Sequence, residues 1–281
     1  DYGLTMENGI HIPGYEIHQG IGKGPHGAVY VAVDTALGRT VAIKVYNELL
    51  ADVHPNILSE WKLVPYLTHH NIISVSNVDT VETSVYKVME YVPVSLFSQI
   101  QDGATFHWQE ALEIALDIAR GLQYAQGWGF IHGDLKPSNI HITEQGIAKI
   151  ADFGLSETMT ADTGRNLGYR APELFSGSSP SPRSDVYSLG ILLCELITGS
   201  TIVGDDMKVG VAQEDHSASI LISLQNLQVA DSVKQIIQKA TQHDPNDRYL
   251  SAGDMAEALK TCMPAVQTPT WLRNLVRAVW V

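Results

Sequence analysis

Cysteine is nearly absent: Cys194 and Cys262 are the only two in 281 residues. That is too few for a disulfide framework or a structural zinc site, so both read as buried or idle thiols and the fold rests on its core. Positive charge is scarce as well. Eighteen Lys plus Arg stand against 31 Asp plus Glu, a net charge of −13. The clustered cationic field that grips a phosphate backbone is missing, and nucleic acid is not an expected partner. Long apolar runs are lacking too. The longest, Leu189 to Val203, is interrupted by Glu195 and Gly199 and falls short of the roughly 20 residues a membrane span needs. No signal peptide is visible. The sequence begins at Asp1 rather than Met, which is compatible with a piece of something longer. The expected setting is cytoplasmic, either as a free protein or as the cytoplasmic domain of a longer chain. Charged residues make up 17% against 44% apolar, which excludes a disordered chain.

At roughly 150 residues per domain the length suggests two lobes. From Tyr15 to about Val92 the pattern is extended. Ala28–Val33 and Thr40–Val45 are short β-rich runs split at Leu37-Gly38. Within this part Ile57, Leu58, Trp61, Val64 and Leu67 recur at helical spacing, which predicts one helix over 55–67, disturbed near its end by Pro65. After Pro93 the character is helical: Trp108 to Gln126, Ser184 to Thr198, Ser232 to Gln242, and Ser251 to Cys262 with Ser251 as N-cap. The second of these is apolar nearly all round and reads as a buried central helix. The expected architecture is α+β: a β-rich part with one helix over 13–92, a mostly helical part over 93–264, and an amphipathic tail over 265–281.

Gly22-Lys23-Gly24-Pro25-His26-Gly27 lies between two strand-like runs, where glycine lets backbone N–H groups approach phosphate oxygens. A dinucleotide cradle needs a helix directly afterwards, and here Ala28-Val29-Tyr30 continues as strand. The segments that follow in order are Val41-Ala42-Ile43-Lys44, His132-Gly133-Asp134-Leu135-Lys136-Pro137-Ser138-Asn139, Asp152-Phe153-Gly154 and Ala171-Pro172-Glu173. Together they resemble the eukaryotic-like, Hanks-type serine/threonine protein kinase family in its bacterial style, from about Tyr15 to Met263. The resemblance implies a bilobal fold with a small ATP-binding lobe and a helical catalytic and substrate lobe. It also implies ATP and Mg2+ as cofactors and a protein hydroxyl as acceptor.

The roles it implies are specific. Lys44 would hold the α- and β-phosphates, with Glu60 as its ion-pair partner. Asp134 would accept or orient the substrate hydroxyl, and Lys136 would steady the γ-phosphate. Asn139 and Asp152 would hold the metal. The glycines Gly22, Gly24 and Gly27 would cover the phosphates, with Val29 and Ala42 above the adenine. Met89 would stand before the hinge residues Glu90 and Val92, and His141 beneath the base. Val64, Val75, His132 and Phe153 would stack, anchored by Asp185, and Glu173 would pair with Arg248.

Three positions depart from the family pattern. Gly133 replaces the arginine that receives an activation-loop phosphate, Asn166 replaces a threonine near the catalytic aspartate, and His141 replaces an aliphatic residue. His132-Gly133-Asp134 also resembles aminoglycoside and choline phosphotransferases, which share the fold but lack the Ala-Pro-Glu segment. A nucleotide-binding scaffold without turnover is the third reading. In the tail, Trp271, Leu272, Leu275, Val276, Val279 and Trp280 fall on one helical face. Docking on the large lobe is the first reading of that face, and contact with a membrane surface or partner the second. The oligomeric state is left open.

Overall fold

The β-branched runs on either side of Leu37-Gly38 become neighbouring strands of one antiparallel sheet. The computed structural model describes residues 11–24, 27–49, 61–81, 84–153, 167–199, 220, 224 and 229–263. The five strands are β1 Tyr15–Gly24, β2 Gly27–Asp34, β3 Arg39–Leu49, β4 Val75–Val81 and β5 Ser84–Glu90, in the spatial order β1-β2-β3-β5-β4. The Asp34 carboxylate fixes the β2–β3 turn by accepting the N–H groups of Ala36 and Leu37, each at 3.1 Å.

Strand alternation sends the side chains of β3 to opposite faces. Val41, Ile43 and Val45 join Ile12, Ala32, Tyr86 and Val88 in one apolar cluster. Ala42, Lys44 and Tyr46 alternate with them, and Tyr46 stacks on the fully buried Trp61 with ring centroids 4.6 Å apart. Of the helix expected over 55–67, residues 55–60 lie outside the described residues. Trp61 is helical, and Val64–Tyr66 forms a 3-10 turn with Pro65 in it. The tightening is what the missing Pro65 N–H dictates, since it cannot donate to the Trp61 carbonyl.

Chain contacts divide the molecule into two compact units, Asp1–Val92 and Pro93–Val281. The second carries a small sheet of β6 Val94–Ser95, β7 Ile140–Ile142 and β8 Ala148–Ile150. Its helices are α1 Leu96–Gln101, α2 Trp108–Gly127, α3 Pro172–Phe175, α4 Pro182–Thr198, α5 Asp231–Ala240 and α6 Ala252–Cys262. The periodic segments of the sequence became α2, α4, α5 and α6. Ser251 caps α6 as expected, its hydroxyl accepting the Asp254 N–H at 3.2 Å. Helix α4 is buried along almost its whole length and packs against α2, α5 and α6. Within it the Cys194 thiol is pushed up to about 12, first by burial and then by the neighbouring Glu195, so it is inert at neutral pH. Among the described residues no helix is long and apolar enough to cross a membrane.

Candidate active site

In the small unit the glycines stand at the end of the β1–β2 pairing, with Gly22 opposite Val29, Lys23 opposite Ala28 and Gly24 opposite Gly27. Gly22 and Gly24 have open space where a side chain would stand, with no atom within 4 Å. A phosphate group could approach the backbone there. Gly27 differs: it sits at φ +151°, and a Cβ added to it would lie 2.1 Å from the Val45 carbonyl oxygen. This glycine is required by packing of the hairpin on β3, whatever the loop binds. Gly27→Ala should therefore lower stability by about 2 kcal/mol or more through strain and steric overlap, measured by thermal or urea unfolding without ligand. An unchanged midpoint would show that β2 can shift away from Val45.

Lys44 lies in register with Val29 on β2 and with Lys87 on β5, and is 8% exposed. Ala42 stands opposite Met89, and both are buried. Glu90 ends β5 with its N–H donated to the Ser74 carbonyl at 2.9 Å, while its carboxylate accepts the Ser74 N–H at 3.3 Å. Val92 follows at the end of this unit. The sheet thus brings together Val29, Ala42, Lys44 and Met89. Glu60, the expected partner of Lys44, lies outside the described residues.

The large unit gathers its candidates on one loop. The Lys136 Nζ is 2.7 Å from Asp134 Oδ2, with both side chains largely buried. The Asn139 amide donates to the Asp134 carbonyl at 2.9 Å and to Asp134 Oδ2 at 3.3 Å. With its donor end held there, the amide keeps its carbonyl oxygen as the ligand end. A 3-10 turn over Pro137–Asn139 makes these contacts sterically possible by bringing Asn139 back toward Asp134.

Asp185, near the start of α4, holds this loop from beneath. Its Oδ2 accepts the His132 N–H at 3.0 Å and its Oδ1 the Gly133 N–H at 2.8 Å. Burial pushes the Asp185 carboxyl above the usual carboxylate range, opposed by His132 and by those two N–H donors. His132 accepts the Asp134 N–H at Nδ1, 3.2 Å away, and its Nε2 lies 2.9 Å from the Ala151 carbonyl. Both bonds are satisfied by a neutral imidazole protonated at Nε2. Ala151 in turn donates its N–H to the Asn139 carbonyl at 2.8 Å. The chain entering Asp152 is thereby tied to the Asp134 loop through two side-by-side bonds. The His132 ring also meets Phe153 edge-on, with centroids 4.9 Å apart.

Two backbone features carry information that residue identities do not. Asp152 has φ 63°, the single non-glycine residue with positive φ among the described residues. Aspartate and asparagine adopt this left-handed conformation more readily than other non-glycine residues, so the backbone here restricts which side chain can stand at position 152. Gly133 has φ 73°, so the position read as a lost regulatory arginine is also one where any side chain would be strained.

Around this loop, Ser188 on α4 donates its hydroxyl to the Tyr169 carbonyl at 2.7 Å, and the Tyr169 hydroxyl donates to the buried Glu195 carboxylate. Arg248 makes a two-pronged pair with Glu173, both contacts 2.8 Å. His141 lies on β7 opposite Ser95 and Lys149, half-buried. Asn166 and the tail over 265–281 lie outside the described residues. Among those described, no group of three or more His, Cys, Asp or Glu is placed to hold a metal. The Asn139 and Asp152 pair is a sparse oxygen set, which fits a cation that keeps waters and takes phosphate oxygens, as magnesium does. Sequence reading missed Lys87, the Tyr169–Glu195 pair and the positive φ of Asp152. A lysine inside the all-buried run Val85–Met89 was the visible signal for the first; the other two have none in local sequence.

Comparison with known proteins places a match to the family described as protein kinase domain over residues 15–261. The chain is 35% identical over 261 residues to a probable serine/threonine-protein kinase PknB of Lactococcus lactis, covering 88% of this chain and 42% of that protein. It is 35% identical over 263 residues to the serine/threonine-protein kinase PrkC of Bacillus subtilis, covering 89% and 41% respectively. To the serine/threonine-protein kinase PknB of Mycolicibacterium smegmatis it is 32% identical over 260 residues, covering 86% and 41%. The chain thus spans about two fifths of the length of these curated relatives.

Proposed function

The chain belongs to the protein kinase family, and we propose from that membership that it is a serine/threonine protein kinase using ATP and Mg2+. The observation that carries the reading is the Asp134 carboxylate, held at once by Lys136 at 2.7 Å and by the Asn139 amide at 3.3 Å. A carboxylate fixed in that way can accept the hydrogen bond of an acceptor hydroxyl and orient it for attack, while Lys136 supplies positive charge at the transferring group. Lys44 binds the phosphates from the small unit, and the open faces of Gly22 and Gly24 admit them to the backbone. Asn139 and Asp152 hold the metal. When bound, that ion neutralises charge on the phosphate oxygens. In the family's manner, His141 would serve beneath the adenine, and Met89, Glu90 and Val92 along its edge.

Protein rather than small-molecule acceptors are favoured by the segment after Asp152. Ala171-Pro172-Glu173 is built into the large unit through the Arg248 fork and through Tyr169 on Glu195. A pocketed small substrate needs no such platform, and an extended peptide does. The test is a panel of acceptors, basic and acidic proteins beside aminoglycosides, incubated with ATP and Mg2+. Phosphate on serine and threonine of proteins is expected, with none on the aminoglycosides. Transfer to an aminoglycoside at a comparable rate would move the chain to the other branch of the fold.

A further inference from the structure

The segment that favours protein acceptors carries an arginine whose charge meets no acid among the described residues. The backbone of Arg170 is fixed from both sides: the Tyr169 carbonyl accepts the Ser188 hydroxyl at 2.7 Å, and Glu173 is gripped by the Arg248 fork. Its side chain is held far less well. The half-buried guanidinium lies over the Phe175 ring, 5.5 Å from the centroid, and its Nη2 reaches the Leu174 carbonyl only at 3.5 Å, the outer limit of a hydrogen bond. The Nε–H is buried with no hydrogen-bond partner, an unfavourable state for a donor on a charged group. Acids of the same framework are engaged elsewhere. Glu173 pairs with Arg248, Glu195 accepts the Tyr169 hydroxyl, and Asp185 accepts the N–H groups of His132 and Gly133. A partner for Arg170 has to come from another molecule.

We propose that Arg170 selects acidic acceptors: its guanidinium pairs with an Asp or Glu carboxylate of the protein substrate, within a few residues of the serine or threonine that takes the phosphate. The proposal rests on the kinase reading given above and names the substrate class of that site. Placement supports it. Asp185 holds the loop entering Asp134, and Ser188, about 4.5 Å further along the axis of α4, holds the residue before Arg170. An extended peptide advances roughly 3.3 Å per residue, so one whose hydroxyl is oriented by Asp134 passes Arg170 within a few residues. The exchange is favourable as well. Turning outward from Leu174, the guanidinium gives up one long neutral bond and offers Nε and Nη2 together to a carboxylate, which takes two parallel charge-assisted bonds. Phe175 backs the cation during the turn. An arginine stays charged at any working pH, so the preference is constant across the neutral range.

The test is a set of peptides with a single acceptor serine or threonine, in which Asp, Ala or Lys stands in turn at each neighbouring position. The kcat/KM of every peptide is measured for wild type, Arg170→Gln and Arg170→Glu, each checked for folding by thermal melting. At one position wild type should prefer the Asp peptide over its Ala counterpart about tenfold, chiefly through KM. That ratio should fall to about one in Arg170→Gln, and in Arg170→Glu the Lys peptide should become the preferred one at the same position. If Arg170 served only the fold, or held a phosphate on its own segment, its loss would slow transfer to all peptides alike and leave the ratio where it was. That result overturns the proposal. So does a wild type with no acidic preference, whether read on the peptides or on sites mapped in acceptor proteins. A folded wild type that phosphorylates no peptide or protein at all fails the kinase reading and the proposal with it; transfer without preference fails the proposal alone.

Discussion

Lys44→Met and Asp152→Asn should each lower phosphoryl transfer from ATP by about a thousandfold or more while the protein stays folded. The reason is electrostatic. Lys44 is a largely buried ammonium, and Asp152 contributes a carboxylate whose backbone is held at φ 63°. Charge placed in a low-dielectric site acts on the transferring group far more strongly than the same charge in water. Asparagine is the better replacement at position 152 because it tolerates positive φ, whereas alanine would add backbone strain to the loss of charge. Steady-state transfer to a protein acceptor measures the effect, and a melting curve for each variant shows whether the fold survived. Both variants turning over at wild-type rates would place the chemistry elsewhere.

The largest effect on stability should come from Arg248→Ala, about 3–5 kcal/mol, or on the order of 10 °C in melting temperature. The Arg248 side chain is 0% exposed, its partner Glu173 15%. Its guanidinium makes five hydrogen bonds: two to the Glu173 carboxylate and one each to the carbonyls of Gln242, Arg183 and His243. Truncation strands a largely buried carboxylate and three carbonyls at once. Arg248→Lys should recover little, because one ammonium cannot reproduce a planar fork reaching four residues. Urea unfolding of the two variants measures this. A midpoint shift equivalent to less than 1 kcal/mol in Arg248→Ala would mean that water or a neighbouring cation replaces the fork.

The parts of this molecule that were legible in the sequence are those set by local periodicity and by short-range spacing. Val29 and Ala42 sit on strands because β-branched residues cluster around them, and Ser251 announced α6 because an N-cap acts within three residues. Asp134, Lys136 and Asn139 meet because a Pro-containing 3-10 turn shortens a five-residue interval, which the motif's spacing encodes. What stayed hidden depends on distant partners or on backbone handedness. Tyr169 and Glu195 are 26 residues apart. No local window of sequence holds both ends of that bond. Gly133 was read through the arginine it displaces, whereas its φ of 73° gives glycine a conformational reason to be there. Lys87 was passed over because an all-buried strand shows no alternation, so its face could not be assigned until β5 was paired with β3.

The measurement that bears most directly on the central claim is phosphosite mapping by mass spectrometry after incubation with ATP and Mg2+, for wild type and Asp134→Asn side by side with a protein acceptor. Asn at position 134 keeps the shape of the loop and removes the charge that orients the hydroxyl. Phosphoserine and phosphothreonine should accumulate with wild type and be absent, or lower by at least about a hundredfold in rate, with Asp134→Asn. Equal phosphate from both proteins, or none from a folded wild type across the acceptor panel, would contradict the account.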